Sequence, residues 1–341
     1  MIEFWTILEE LCGLPGISGR EEPVREFILS HLPENVSLEI DPLGSLIVTK
    51  KGRFTPKHPL LFTAHMDEVG FLITSIDEDG LLHFATVGGI DPHVIAGRQV
   101  KIGNHIGVVG LKPVHLQNEK ERQSALSVED LRIDIGATTR REAEEMVSVG
   151  DSAVFTGTLQ QFGQNRIMGK AIDDRFGCAL LLQHLWEETE YSFTAAFLVQ
   201  EEVGLRGAKP VGFAVAPEIA IVLETTTAAD FSDIPSHRQA CRLSSGPVIP
   251  FMDQRSVYDR ELYQLAFAVA KEEGIPSQTK TVIAGGNDAG AIASSGAGVR
   301  TLAISLPCRN LHSARTVADL EDIKWTRRLL TAFGRQVAHL A

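Results

Sequence analysis

The sequence predicts an α/β fold: a mixed, mostly parallel sheet with helices on both faces, interrupted by a small β-barrel domain. Two observations carry this prediction. Strands and amphipathic helices alternate towards both ends of the 341-residue chain, which is typical of a sheet covered by helices. Between them, short alternating strands separated by glycines indicate a small barrel or sandwich. We therefore expect one domain formed by residues 1–68 and 162–341, and an inserted β-rich domain at 69–161.

The segment before the insertion is predicted to hold two helices and three strands. Residues 2–12 are amphipathic at helical spacing and are followed by a segment rich in Gly and Pro. Ser18 is the predicted N-cap of a second helix near 20–32. Apolar runs predict strands at 38–41, 45–49 and 60–64, and the last strand places His65 and Asp67 at its carboxyl end.

The remaining elements follow from the same patterns. Within the insertion, strands are predicted at 70–76, 81–87, 99–102 and 106–110, a polar mobile loop at 118–128, and a short helix near 139–146. Beyond it, periodicity predicts helices at 174–187, 206–211, 259–273, 288–294 and 319–339. Apolar runs predict strands at 193–199, 219–224 and 299–305.

Composition restricts the partners of this protein. The net charge of −12 argues against nucleic acid and against anionic membranes as binding partners. No apolar run is long enough for a membrane span, and the acidic residues near the N-terminus are not those of a signal peptide. The four cysteines show no paired spacing, which is typical of free thiols in a reducing cytoplasm.

Acidic and histidine residues recur just beyond the predicted strands. Ligands bind along that edge of open α/β sheets. Glu201 and Glu202 follow a buried apolar run, and two adjacent carboxylates there are costly unless a cation compensates them. One of the two could ligate a metal while its neighbour holds a proton. The complete set of candidates is His65 with Asp67, Asp173 with Asp174, Glu201 with Glu202, Glu224, and His312.

This donor set suits Zn, Co or Mn, because it combines carboxylates and imidazoles without cysteine. Two metals that share a bridging carboxylate need about five ligands, and the eight candidate residues occupy five positions along the chain. Each candidate also has an alternative reading. Asp173 and Asp174 could serve as a helix N-cap and its first-turn acid, and the other candidates could be solvated or structural.

Four motifs resemble the tetrahedral or glutamyl aminopeptidases, family forty-two of the metallopeptidases, some members of which are labelled endoglucanase. They are TAHMDEVGF at 63–71, GKAIDDRFG at 169–177, VQEEVGLRGA at 199–208 and RNLHSARTVADLEDI at 309–323. Weaker matches lie at 132–151 and 285–292. The resemblance implies a dinuclear zinc-peptidase-like catalytic domain at 1–68 and 162–341. It also implies that 69–161 is a dimerisation domain and that dimers assemble into a tetrahedral dodecamer.

The resemblance also implies a role for each candidate residue. His65 and His312 would each bind one metal, and Asp173 would bridge the two, with a cis peptide to Asp174. Glu202 and Glu224 would complete the sites, although the family often has Asp where this chain has Glu224; Asp230 is the alternative ligand. Glu201 would be the general base and Asp67 would orient His65. The implied activity is removal of N-terminal residues from peptides by two divalent metals, Zn or Co, with Mn also suitable.

Three other functions remain open on the sequence alone. A metal-dependent deacylase, or another amide hydrolase, would use the same dinuclear site. A glycosidase would use two carboxylates without metal. A binding or scaffold protein would carry the same fold with an inactive site. The side-chain preference for the first residue is also open, since Arg255, Asp253 and Asp288 are all candidates to line the pocket.

Overall fold

The chain forms a nine-stranded mixed sheet and a separate closed barrel, in a computed structural model that describes residues 3–119 and 123–340. The predicted fold class is confirmed. The helices are α1 (Phe4–Gly13), α2 (Glu22–Ser30), α3 (Pro92–Ile95), α4 (Arg140–Met146), α5 (Ile172–Trp186), α6 (Ala208–Val215), α7 (Arg260–Glu272), α8 (Asp288–Ala293) and α9 (Leu320–Ala338). Short 3-10 helices lie at Val114–Leu116, Val128–Asp130 and Ser236–Arg238.

The strands divide between the two sheets. The large sheet contains β1 (Val36–Ile40), β2 (Leu46–Lys50), β3 (Leu60–His65), β10 (Gln160–Phe162), β11 (Arg166–Gly169), β12 (Phe193–Leu198), β13 (Ile219–Thr227), β14 (Arg300–Arg309) and β15 (Thr316–Asp319). The barrel contains β4 (Gly70–Ile76), β5 (Leu82–Val87), β6 (Gln99–Ile102), β7 (His105–Leu111), β8 (Leu131–Asp134) and β9 (Ser152–Phe155).

Parallel pairing occurs only in the centre of the large sheet, among the strands that the structure describes. Its order is β1-β2-β12-β3-β13-β14-β15-β11-β10, and the neighbours from β12 to β14 run parallel. The flanking pairs are antiparallel, and short connections make hairpins of β1 with β2 and of β10 with β11. The sheet is therefore mixed as predicted, but the prediction that it is mostly parallel is wrong, because only three of its eight pairings are parallel. The carboxyl ends of the four parallel strands share one edge.

The barrel has its own hydrophobic core. Phe71 makes edge-to-face contacts with Phe84 and Phe155, with ring centroids 5.1 Å apart in both pairs. The barrel strands run from Gly70 to Phe155, whereas β10 pairs with β11 in the large sheet. The barrel is therefore built from residues inside the predicted insertion of 69–161, and the last residues of that range return to the large sheet.

Two local predictions need comment. Ser18 is not a helix cap: α2 begins at Glu22, and the Ser18 hydroxyl donates to Asp67 instead, at 2.6 Å. The contact was hidden from local reasoning because it joins residues 49 positions apart. In the predicted polar loop at 118–128, residues 120–122 lie outside the described residues. Among the helices that are described, none has both the length and the apolar character needed to cross a membrane.

Candidate metal centre

The predicted site residues meet at the carboxyl edge of the central parallel strands. His65 is the last residue of β3, and Glu224 lies towards the carboxyl end of β13. Glu201 and Glu202 lie in the turn after β12. The parallel register sets the end of β12 beside the end of β3, so this turn lies next to His65. The remaining members come from the start of α5 and from the turn after β14, where Asp173 and His312 lie.

One cluster joins His65, Asp173 and Glu224. The Nε2 atom of His65 lies 3.5 Å from Oδ1 of Asp173 and 3.6 Å from Oε1 of Glu224. One potential ligand atom from each residue lies within 4.8 Å of the other two. His65 is almost fully buried, and its Nδ1 donates to the carbonyl oxygen of Asp67 at 3.1 Å. Since a carbonyl can only accept, Nδ1 carries a proton, and Nε2 is the ring atom that faces the carboxylates and could bind a metal.

A second cluster joins Asp173, Glu202 and His312. The Nε2 atom of His312 lies 3.4 Å from Oδ2 of Asp173 and 3.3 Å from Oε1 of Glu202. Its Nδ1 donates to the carbonyl oxygen of Gly89 at 2.7 Å, so Nε2 is again the ring atom that could bind a metal. Asp173 therefore directs one oxygen towards each histidine, and the Asp173–Asp174 peptide is cis, as the resemblance implied.

The barrel domain contributes backbone to this second cluster. Gly88 has φ of +83°, in the left-handed region, and a Cβ there would lie 3.2 Å from the Cβ of Glu202. The next carbonyl, that of Gly89, accepts the proton of His312. The connection after β5 thus reaches the site from the inserted domain, and only glycine allows so close an approach.

Asp67 fixes the turn that carries the paired glutamates. Its Oδ1 accepts the backbone N–H of Glu201 at 3.0 Å, and its Oδ2 accepts that of Glu202 at 3.1 Å. Its Oδ1 also lies 3.4 Å from Nδ1 of His65. Burial by itself raises the pKa of Asp67, but its hydrogen bonds to His65 and Ser18 overcome that effect and lower it.

Carboxylates crowd the site more than its histidines can compensate. Burial, together with the charge of neighbouring acids, raises the pKa of Glu202 to about 8 and that of Glu224 to about 7. Burial also raises the pKa of Asp173, but His312 and His65 reverse that effect and hold it well below its usual range. Oδ1 of Asp173 is buried and accepts no hydrogen bond from any described residue. This donor set fits divalent cations, which satisfy the orphaned oxygen and offset the excess negative charge.

Glu201 differs from the other carboxylates. It belongs to neither cluster, and within residues 3–119 and 123–340 its carboxylate forms no hydrogen bond. Burial raises its pKa well above the ordinary value, and the nearby charges of Glu224, Asp288 and Glu202 act in the same direction. A carboxyl group in this environment takes up a proton readily, which suits general acid–base work.

The alternative ligand Asp230 lies elsewhere. Its two carboxylate oxygens accept from Nε and an Nη atom of Arg309 at 2.7 and 2.9 Å. Asp230 also accepts the backbone N–H of Leu243 at 3.1 Å. With these contacts it serves as a structural ion pair, and Glu224 is the acid that lies among the potential ligands.

Sequence reasoning missed a buried cluster behind the site. Lys170 donates to Oε1 of Glu68 at 2.7 Å, and the buried guanidinium of Arg175 lies 3.5 Å from the same oxygen. Arg175 also donates to the carbonyls of Leu11 and Gly16. These charged residues lie close to the ligands in sequence, and that proximity was the only signal the sequence offered.

Asp288 is a second residue whose place only the structure reveals. It begins α8 and is almost fully buried, and its Oδ1 accepts no hydrogen bond from a described residue. Burial raises its pKa well above the usual range, and the charges of Glu224, Asp67 and Glu202 add to this effect. Asp288 is therefore a buried acid beside the two clusters, whereas the sequence suggested only a specificity pocket.

These features define the class of the protein: an α/β domain with two adjoining carboxylate–histidine clusters at its sheet edge and an inserted barrel. The family model described as M42 glutamyl aminopeptidase matches residues 44–329. The chain belongs to this family, as its motifs predicted, and it is a peptide-bond hydrolase of the aminopeptidase class.

Relatives and solved structures agree with this assignment. The chain is 31% identical to a lysyl aminopeptidase of Pyrococcus furiosus over 339 residues, which cover 96% of each protein. It is 35% identical to the structure of the Pyrococcus horikoshii TET1 peptidase, with a TM-score of 0.84 and coverage of 97% of this chain and 98% of that one. A Thermotoga maritima structure named endoglucanase is 36% identical, with a TM-score of 0.80 and the same coverage.

Proposed function

We propose that this protein is a co-catalytic dinuclear metallo-aminopeptidase that removes N-terminal residues from peptides. The observation that carries the proposal is Asp173, which directs one oxygen towards each of two histidines. In this proposal His65, Asp173 and Glu224 hold one divalent cation, and Asp173, Glu202 and His312 hold the other. Zn and Co both suit these ligands, and Mn is a third choice.

The chemistry divides between the cations and the chain. When bound, two divalent cations supply the Lewis acidity that polarises the scissile carbonyl and lowers the pKa of a water molecule. Glu201 removes the proton of the attacking water and then delivers it to the departing amine, as general base and general acid. Asp67 keeps Glu201 in place through the backbone bond at 3.0 Å and orients the His65 ring.

The charge of the site favours a substrate with a free α-amine. Asp288 belongs to neither ligand cluster, and its buried Oδ1 accepts no hydrogen bond from a described residue, so bound cations would leave this acid available to a substrate amine. A protonated N-terminus is drawn to such a site, whereas an acylated one gains nothing from it. This preference separates an aminopeptidase from a deacylase that uses the same ligands.

Hydrolysis of amino-acid p-nitroanilides by the purified protein tests the proposal. We expect release of p-nitroaniline that stops on chelation and returns when Zn or Co is added, while N-acetylated substrates stay intact. Hydrolysis of the blocked substrates would instead identify a deacylase or another amide hydrolase. Hydrolysis of these amides that survives complete metal removal would exclude every dinuclear mechanism.

We also propose that the inserted domain joins two subunits and that dimers assemble into a tetrahedral dodecamer. The outward side of β7 presents Ile106 and Val108, which are 48% and 47% exposed at alternating positions of an otherwise polar face. The similar Pyrococcus horikoshii TET1 peptidase is described as assembling into a tetrahedron or a large octahedral shell. Light scattering should give twelve times the chain mass of 37.2 kDa. Ile106→Asp with Val108→Asp should reduce that mass, and an unchanged mass would place the interface elsewhere.

We propose that the enzyme works in the cytoplasm. Its four cysteines are all buried free thiols, a state that a reducing compartment maintains. Fractionation of the native host, followed by detection with an antibody against this chain, tests the location.

A further inference from the structure

The connection between α1 and α2 packs against the turn that carries Glu201. Three contacts join it to residues around the site. The Ser18 hydroxyl donates to Asp67 at 2.6 Å, and the Glu68 N–H donates to the Gly16 carbonyl at 2.9 Å. Oε1 of Glu21 accepts the N–H of Gln200 at 3.0 Å, although 179 positions separate the two residues.

Two carboxylates bind three consecutive backbone amides at this turn. Glu21 accepts from Gln200, and Asp67 accepts from Glu201 and Glu202. Gln200 itself has φ of +58°, a left-handed conformation that costs a non-glycine residue about 1 kcal/mol or more. An acceptor at the Gln200 amide is therefore one of the contacts that keep the turn in this conformation, and the turn decides where the side chain of Glu201 points.

Glu21 is built into this position. It is 2% exposed, and the same Oε1 atom also accepts the N–H of Gly19 at 2.8 Å. One oxygen therefore ties the connection to the turn. Hydrogen bonds from backbone N–H groups to a buried carboxylate are stronger than those to neutral acceptors.

We infer that Glu21 is a positioning residue for the general base, acting on Glu201 through the Gln200 amide. This inference rests on the role proposed above for Glu201. Because both amides donate to Oε1, a glutamine that presents its carbonyl oxygen there keeps both bonds. Aspartate, shorter by one methylene, withdraws the oxygen from the Gln200 amide. Misplacement of a catalytic group by about 1 Å lowers turnover by about 100-fold.

The test compares Glu21→Ala, Glu21→Gln and Glu21→Asp in the metal-loaded enzyme. Asp322→Ala is the matched control, because Asp322 is equally buried and accepts the backbone N–H groups of Ser244 and Gly246 away from the site. For each variant, kcat, KM, bound metal and melting temperature are measured with one p-nitroanilide substrate.

We expect Glu21→Ala and Glu21→Asp to lower kcat by about 10- to 100-fold with KM and metal content nearly unchanged. Glu21→Gln should restore most of kcat, and Asp322→Ala should lower the melting temperature with little effect on kcat. Normal kcat in Glu21→Asp, a loss that follows metal content, or an equal loss in Asp322→Ala would overturn the inference. Glu21→Asp and Glu21→Gln keep a polar group at this position, so these two variants test the positioning role of Glu21 if Glu21→Ala does not fold.

The two proposals fail in different ways. An inactive wild-type enzyme that carries both metals would contradict the proposed function. An active wild-type enzyme whose Glu21→Asp variant has the same kcat would contradict only the positioning role.

Discussion

Replacement of Glu201 by glutamine is the sharpest test of the mechanism. The change keeps the size and shape of the side chain but removes its ability to take a proton at neutral pH. The carboxylate forms no hydrogen bond within the described ranges and belongs to neither ligand cluster, so glutamine leaves no donor there unsatisfied and removes no ligand. We therefore expect normal folding and full metal content.

The expected effect falls on kcat. General acid–base catalysis contributes about 100- to 10,000-fold, so loss of the base should raise the activation free energy by about 3–5 kcal/mol. Steady-state hydrolysis of a p-nitroanilide measures this loss, and elemental analysis measures metal in the same samples. Glu272→Gln, an exposed change near the end of α7, is the control for an isosteric loss of charge. A Glu201→Gln enzyme with both metals and wild-type kcat would refute the assignment of the base.

Three further predictions concern the ligands and the scaffold. Asp173→Ala should lose metal from both clusters, since each uses this residue, and retention of two ions per chain by elemental analysis would contradict the shared ligand. Chelation should lower the melting temperature and added Zn should restore it, because ligands that bind only the folded state stabilise it; an unchanged value would speak against a built site. Asp259→Asn should destabilise the protein by about 1 kcal/mol at pH 7, because Asp259 pairs with Arg300 at 2.8 Å. The Arg300 hydrogen bond lowers the pKa of Asp259. The difference in unfolding free energy between the wild type and Asp259→Asn should therefore be complete above the ordinary carboxyl pKa range and should vanish as pH falls through the lowered pKa. Urea unfolding at several pH values measures this difference.

The mutual position of the site residues required the folded chain. Ser18 was predicted to cap a helix, yet its hydroxyl donates a hydrogen bond to Asp67. Glu21 lies within the helix predicted near 20–32, yet its carboxylate accepts a hydrogen bond from a backbone amide 179 positions away. Helix capping is a local interaction that a sequence pattern records, whereas these contacts depend on how two distant loops pack.

The sequence by itself determined the elements and the chemistry. Apolar periodicity placed the helices and the central strands, and donors such as His65, Glu202 and Glu224 followed or ended apolar runs, as a sheet-edge site requires. Only the tertiary structure decided that the barrel brings Gly89 to His312 and which pairs of the sheet are parallel. The physical reason is that strand order and loop packing arise from contacts between distant residues, which local patterns do not encode.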